Sequence, residues 1–159
     1  MKVFIPMGAR RVGKGEGTLS VAGLGSCVAI ILYDAEARIG GLAHVLLPDP
    51  SLSSSSTRRW LCASTAIPDL LKELEEAGAV RSRITARLVG GSRMFQELLP
   101  SEEPNVGDRN VAAARTALEQ RGIPITAEEV GGKFGRTVDF HLEDGRLQVS
   151  SQGKDLVEI

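Results

Sequence analysis

The chain contains few cysteines and few aromatic residues. Its 159 residues include two cysteines, one tryptophan, one tyrosine and four phenylalanines. Cys27 and Cys62 are too few for a disulfide framework and lack the CxxC spacing of a structural zinc site. We therefore expect both thiols to be reduced, as they are in cytoplasmic proteins.

A long apolar run and an excess of charge are also missing. No segment reaches the length of about 18 apolar residues expected of a transmembrane helix, and residues 1–6 are too short for a signal peptide. The net charge of −1 gives no general attraction to nucleic acid or to an anionic membrane surface. The sequence therefore predicts one soluble cytoplasmic domain over residues 1–159, with no nucleic-acid partner and no membrane insertion.

Short apolar segments at both ends of the chain surround two helical patterns. Strands are expected at 2–7, 17–22, 28–34, 39–47, 84–89, 123–130, 136–142 and 147–151, with an edge strand in the tail 153–159. Helices are expected at 57–77, where Pro68 should kink or divide the helix, and at 105–120. The pattern predicts a mixed α/β domain, and the short turns at 34–38 and 143–146 favour antiparallel pairing.

The segment 8–15 is a near match to the phosphate-binding loop GxxxxGK(S/T). Gly15 stands where that loop needs a hydroxyl to hold magnesium, and no helical pattern follows it. We interpret the segment as a flexible basic loop. The sequence contains no metal or nucleotide motif, so we expect no cofactor.

A cysteine follows a glycine-rich turn in the segment 23–27, Gly-Leu-Gly-Ser-Cys, which lies between two expected strands. A tight junction of this kind fixes the position of the sulfur, so Cys27 is a candidate nucleophile, with Gly25 and Ser26 shaping the site. The alternative is an inert cysteine that packs in the core, as most buried cysteines do. Nothing near Cys62 resembles a base, and we interpret Cys62 as structural.

His44 is the candidate base for Cys27. If strands 28–34 and 39–47 form a hairpin, Cys27 falls opposite residues 45–47 and His44 lies within a residue or two of it. Histidine can take the thiol proton and return it to a leaving amine, and the Cys27 N–H is a natural oxyanion donor. The pair predicts a cysteine acyl hydrolase or transferase without naming its substrate. A buried structural histidine is the alternative.

Five segments resemble the CheD family of chemoreceptor glutamine deamidases, in the order and spacing of that family. They are Gly23-Leu24-Gly25-Ser26-Cys27-Val28-Ala29, Gly41-Leu42-Ala43-His44-Val45-Leu46-Leu47-Pro48, Gly90-Gly91-Ser92 with Met94-Phe95, Asn105-Val106-Gly107 with Arg109-Asn110-Val111, and Gly131-Gly132 with Gly135-Arg136. The resemblance implies two central β-sheets flanked by helices, an α/β/β/α arrangement similar to cysteine deamidase toxins. It also implies Cys27 as nucleophile and His44 as general base. The substrate it implies is a set of glutamine side chains on methyl-accepting chemotaxis receptors, which become glutamate with loss of ammonia.

The chain departs from this family at Val21. The family carries a threonine there as the third member of a triad, and valine has no hydroxyl. Either the Val21 carbonyl orients His44, or the activity of this member is reduced. In the second case the protein is a regulatory binding module that acts through the CheC phosphatase, a partner that the resemblance also implies. A third hypothesis is that the protein is a cysteine hydrolase of small-molecule amides or thioesters.

Three further polar residues are left outside the catalytic set. Arg109 and Asn110 match a family motif, but the start of a helix can require them for local structure alone. His141 lies in an expected strand without a family motif, and we interpret it as exposed or hydrogen-bonded.

Overall fold

The computed structural model describes residues 1–48, 59–93 and 105–159. Within these ranges the strands are β1 (Lys2–Phe4), β2 (Arg10–Lys14), β3 (Thr18–Leu24), β4 (Val28–Asp34), β5 (Ile39–Val45), β6 (Thr85–Gly90), β7 (Ile125–Val130), β8 (Arg136–His141), β9 (Leu147–Ser150) and β10 (Val157–Glu158). The α-helices are α1 (Ala63–Glu76) and α2 (Val106–Gln120), and single 3-10 turns occupy Arg59–Leu61 and Arg81–Arg83. Residues 49–58 and 94–104 lie outside the described residues, and they include Met94 and Phe95 of the third family segment.

The strands form two five-stranded sheets. The first has the order β1-β3-β8-β9-β10 and the second the order β2-β5-β4-β6-β7. The pairs β1–β3 and β6–β7 are parallel, and the other neighbouring strands are antiparallel. The expected mixed fold with two largely antiparallel sheets is therefore confirmed.

The central strand β4 shows how the layers are arranged, because all its residues are buried. Val28, Ile30 and Leu32 pack with α1 and α2, whereas Ala29, Ile31 and Tyr33 face the core between the two sheets. This alternation follows from the two-residue period of a strand. Both described helices thus lie on the same face of the second sheet. Within the described residues the layers therefore run from the two helices to the second sheet and then to the first sheet, as in the layered mixed fold that was expected.

The segment 8–15 is not the flexible loop expected from its charge. Residues Arg10–Lys14 form β2, which pairs with β5 along its whole length from Arg10 opposite Ala43 to Lys14 opposite Ile39. Basic side chains suit this position because β2 is the edge of its sheet, where charge discourages pairing with another chain. The ladder to a distant strand therefore outweighs the weak local preference of the sequence.

Helix α1 runs through Pro68 as one element, so of the two expected effects, a kink or a division, the division is not seen. Pro68 removes the hydrogen bond to the carbonyl of Ser64, and Ser64 is exposed to water, which limits the cost. Gly78 ends the helix with a φ of 113°, as expected. No helix in the described ranges has both the length and the apolar character needed to cross a membrane.

Candidate active site

The Cys27 turn joins β3 in the first sheet to β4 in the second. Its entry is irregular: the ladder between β3 and β8 shifts register between Val21 and Leu24, and Gly23 has a φ of 65°. Cys27 itself is buried and packs in the core between the two sheets. The crossing from one sheet to the other therefore places the sulfur where both sheets meet.

The end of β6 holds this turn from one side. Gly91 N–H donates to the Cys27 carbonyl at 2.8 Å, and Ser92 N–H donates to the Gly25 carbonyl at 3.0 Å. Gly90 has a φ of 113°, and a Cβ there would lie 2.3 Å from the Cys27 carbonyl oxygen. The Gly-Gly-Ser segment is therefore required because its backbone must approach the turn closely.

His44 lies on β5, in the hairpin register expected from the sequence. Ala29 pairs with His44 and Val28 pairs with Val45, which brings Cys27 level with residue 46. Cys27 and Ala29 share one face of β4, and Ala29 is the direct partner of His44. Cys27 immediately precedes β4, two residues before the strand partner of His44, and both Cys27 and His44 are buried.

The segment before β2 fixes His44 at three points. Gly8 N–H donates to the His44 carbonyl at 2.8 Å, and His44 N–H donates to the Ala9 carbonyl at 3.0 Å. The ring atom Nδ1 lies 3.0 Å from the Ile5 carbonyl oxygen. A carbonyl oxygen can only accept, so Nδ1 carries the proton and Nε2 of the neutral ring is left as a base.

The acceptor at Nδ1 is thus the carbonyl of Ile5 and not that of Val21, which corrects the expectation from the sequence. Val21 is buried and packs in the same core as Cys27, where its side chain is in apolar surroundings. A main-chain group does orient the ring, but it belongs to Ile5, the residue directly after β1, and not to β3.

Burial sets the resting protonation of both groups. It raises the pKa of the Cys27 thiol, and the backbone N–H of Cys27 partly offsets this rise. It lowers the pKa of His44 below its ordinary value, and the hydrogen bond with Ile5 partly offsets that fall. Desolvation disfavours the charged form in each case, so the pair rests as a neutral thiol and a neutral imidazole near pH 7.

Asp34 is the carboxylate nearest to Cys27 in sequence, and it lies at the opposite end of β4 from Cys27. Burial would raise its pKa, but hydrogen bonds from Arg83 and from the N–H groups of Val80 and Ala37 lower it to about 2. Arg83 Nη2 lies 2.9 Å from the Asp34 carboxylate. Asp34 therefore ties the hairpin to the Arg81–Arg83 turn and does not orient His44.

Asn110 is a residue at this site that sequence reasoning set aside. Its Nδ2 donates to the Ser26 carbonyl at 2.9 Å and to the Leu46 carbonyl at 3.0 Å. It thereby links the Cys27 turn to the chain just after His44. The signal in the sequence was the match of Arg109-Asn110 to a family motif, but the two acceptors are main-chain atoms that no side-chain pattern reveals.

The remaining candidates lie elsewhere. His141 is opposite Thr18, at the far end of β3 from the Cys27 turn, and its ring nitrogens contact Thr18 Oγ1 at 3.2 Å and Gln148 Oε1 at 2.8 Å. This confirms a hydrogen-bonded histidine. Cys62 is buried at the start of α1, and its backbone forms an isolated β-bridge with that of Leu47. Among the described residues, no group of three His, Cys, Asp or Glu side chains is placed to hold a metal ion.

Comparison with known proteins relates the sequence of this chain to a known family. Residues 46–151 match the family model described as CheD chemotactic sensory transduction. A relative from Caldanaerobacter subterraneus subsp. tengcongensis, named probable chemoreceptor glutamine deamidase CheD, is 42% identical over 94% of this chain and 92% of its own.

Two archaeal relatives carry the same name. The protein from Pyrococcus horikoshii is 38% identical over 99% of this chain and 98% of its own. The protein from Archaeoglobus fulgidus is 40% identical over 98% of this chain and 97% of its own. Sequence identity of about 40% over nearly the full length of this chain and of its relatives shows that the chain belongs to the CheD family.

Proposed function

We propose that this protein is a chemoreceptor glutamine deamidase in which Cys27 is the nucleophile and His44 the general base. The observation that carries the proposal is the hydrogen bond between His44 Nδ1 and the Ile5 carbonyl, which leaves Nε2 unprotonated on a histidine whose strand partner, Ala29, is two residues after Cys27. The names of the relatives supply the substrate class: glutamine side chains of chemoreceptors.

The first half of the reaction forms a thioester. His44 Nε2 takes the proton from the Cys27 thiol as sulfur attacks the amide carbon of the glutamine side chain. The amide oxygen becomes an oxyanion, for which the Cys27 N–H is a donor because it already lies close to its own sulfur. The protonated His44 then gives its proton to the leaving nitrogen, and ammonia departs.

The second half restores the enzyme. His44 Nε2 removes a proton from water, which attacks the thioester carbon; the bond to the Cys27 sulfur then breaks, and His44 returns the proton to that sulfur. The products are glutamate and the neutral thiol, so the net change is one amide and one water converted to one carboxylic acid and one ammonia. Gly25 and Ser26 contribute by shape, because their carbonyls are bound by Ser92 N–H and Asn110 Nδ2 and hold the turn.

We also propose that the protein acts in the cytoplasm and that the CheC phosphatase is a second partner. The support is the family membership, since receptor signalling regions and CheC belong to the same chemotaxis circuit that the resemblance implies. A member acting mainly as a binding module would be favoured by a missing His-orienting group at Val21. The Ile5 carbonyl supplies such a group, so we favour the enzyme.

Cys27→Ala should abolish ammonia release from the cytoplasmic fragment of a chemoreceptor, because the substitution removes the attacking sulfur. Cys62→Ala is the matched control: it removes the other buried thiol, at the start of α1, and should retain turnover. Undiminished release by folded Cys27→Ala contradicts the assignment, and a Cys62-specific loss means that the other cysteine is the nucleophile. Binding of CheC by a protein that releases no ammonia would support the binding module.

A further inference from the structure

The start of α2 is in backbone contact with the segment that holds the Cys27 turn. A Cβ at Gly107 would lie 2.5 Å from the Ser92 carbonyl oxygen and 2.6 Å from that of Gly91. Gly91 and Ser92 in turn bind the carbonyls of Cys27 and Gly25. The helix therefore reaches the candidate site without an intervening side chain at this position.

Asn110 follows Gly107 by nearly one helical turn, and its side chain is buried on the same side of α2. The hairpin ladder ends at the pair Val28–Val45, and beyond it the Leu46 N–H donates to the Leu61 carbonyl at 2.8 Å. The chain after Val45 thus turns away from β4. Asn110 Nδ2 bridges this gap by donating both to Ser26 and to Leu46.

The orientation of the amide is fixed by its acceptors. Turning it over would place Oδ1 against two carbonyl oxygens, so the NH₂ group must face them. Oδ1 is buried and has no hydrogen-bond partner among the described residues. A buried polar atom without a partner destabilises the fold, so stability alone is a poor reason for an amide here.

We propose that Asn110 is a positioning residue that sets the separation between Cys27 Sγ and His44 Nε2. It acts through the main chain on either side of the pair, at Ser26 before the nucleophile and at Leu46 after the base. This inference rests on the proposed function for its meaning in catalysis, but the coupling of the two side chains can be measured without a receptor.

The test is a double-mutant cycle on the alkylation of Cys27 by iodoacetamide, in a Cys62→Ala background so that one thiol reacts. Asn110→Leu removes both donors and keeps the number and branching of the side-chain heavy atoms. At pH 7, it should slow alkylation by about tenfold, as His44→Ala does, because His44 no longer assists loss of the thiol proton. Adding Asn110→Leu to His44→Ala should change the rate by less than about twofold, since the two substitutions remove the same coupling.

Turnover supplies an independent reading. Asn110→Leu should lower kcat by about tenfold or more with KM changed less than about threefold, because misplacement of reacting groups affects chemistry more than binding. If Asn110→Leu does not fold, Asn110→Asp keeps the shape and can donate to at most one of the two carbonyls. A folded Asn110→Asp protein with wild-type alkylation and wild-type kcat overturns the proposal.

Asn105→Ala is the control for loss of stability at the start of α2. Asn105 caps the helix by accepting from Asp108 N–H at 2.9 Å, and its removal should lower the thermal midpoint but leave alkylation unchanged. Multiplicative rate losses in the cycle would show that Asn110 is merely structural. If the wild-type protein deamidates no receptor glutamine but the cycle is non-additive, the proposed function fails and the positioning role stands.

Discussion

At the scale of single residues, the chemistry depends on where two protons reside. The Ile5 carbonyl holds one on His44 Nδ1, and burial keeps the other on the Cys27 sulfur. A neutral pair differs from a preformed ion pair, because the thiolate arises only as the thiol transfers its proton to Nε2. The base must therefore be unprotonated before each turnover.

The pH dependence of turnover follows from this requirement. Burial lowers the pKa of His44 from its ordinary value of 6.5, so the ring stays neutral as the pH falls through 6.5. Activity should hold at that pH and decline only in more acidic solution, where His44 takes up a proton. The contribution of His44 to the free energy of unfolding depends on pH in the same direction as activity. This contribution is fully present above pH 6.5 and is lost as the pH falls through the lowered pKa of His44. A kcat/KM profile whose acid limb lies well above pH 6.5 contradicts the neutral base.

Val21→Thr tests whether the missing threonine weakens the site. Because the Ile5 carbonyl already binds Nδ1, we expect glutamine turnover to change by less than about threefold. The new hydroxyl enters an apolar core and should cost about 1–3 kcal/mol if it finds no partner, which lowers the thermal midpoint. A rise in turnover of tenfold or more relative to the parent would mean that the hydroxyl is needed.

At the scale of elements, the site is a junction held by backbone contacts from three directions. The segment after β1 holds His44, the end of β6 holds the Cys27 turn, and α2 links the two through Asn110. Each contact is made to main-chain carbonyl or N–H groups. The geometry therefore depends on glycines that permit close approach as much as on the two reactive side chains.

Gly90→Ala should disrupt this junction. The added Cβ would lie 2.3 Å from the Cys27 carbonyl oxygen, and the backbone has a φ of 113°, so both strain and a clash displace the turn. We expect loss of most turnover and a destabilisation of more than about 2 kcal/mol in chemical denaturation. Gly122→Ala, with a φ of 69° and nothing within 4 Å of its Cβ, should cost about 1–2 kcal/mol and retain turnover. Equal activity in the two variants would show that the contact of β6 with the turn is dispensable.

The sequence predicted elements whose signals are local. The turn at 34–38 and the apolar run after Cys27 defined the β4–β5 hairpin, and its register then placed His44 near Cys27. Strand β2 was missed because its basic residues resemble a loop, and its ladder comes from a strand far away in sequence. The acceptor at Ile5 could not be predicted either, since every residue offers a carbonyl and only the fold selects one.

At the scale of the whole molecule, the ion pair between buried Asp34 and partly exposed Arg83 lies at the end of β4 that is opposite the Cys27 turn. Asp34 at the end of β4 binds Arg83 and the Val80 N–H, which follow α1. This contact ties the hairpin of the second sheet to the helix layer. Its loss should therefore affect stability without changing the site directly.

Asp34→Asn should lower the free energy of unfolding at pH 7 by about 1.5–3 kcal/mol, the range for hydrogen bonds to a charged group. The Asp34 pKa falls from 3.8 to about 2 in the folded protein, so its contribution is present above pH 3.8 and is lost as the pH falls towards 2. Denaturation measured at several pH values should show the two proteins converging in acid. A constant difference across that range contradicts the assigned ion pair.

The most direct test of the account is mass spectrometry of a chemoreceptor cytoplasmic fragment incubated with the protein. Deamidation converts a glutamine to glutamate, and we expect a gain of about one mass unit at particular glutamines through the Cys27 thioester. The wild-type protein and Cys62→Ala should both produce this gain, and Cys27→Ala should produce none. Unmodified glutamines after treatment with folded wild-type protein, or the same gain with Cys27→Ala, would contradict the account.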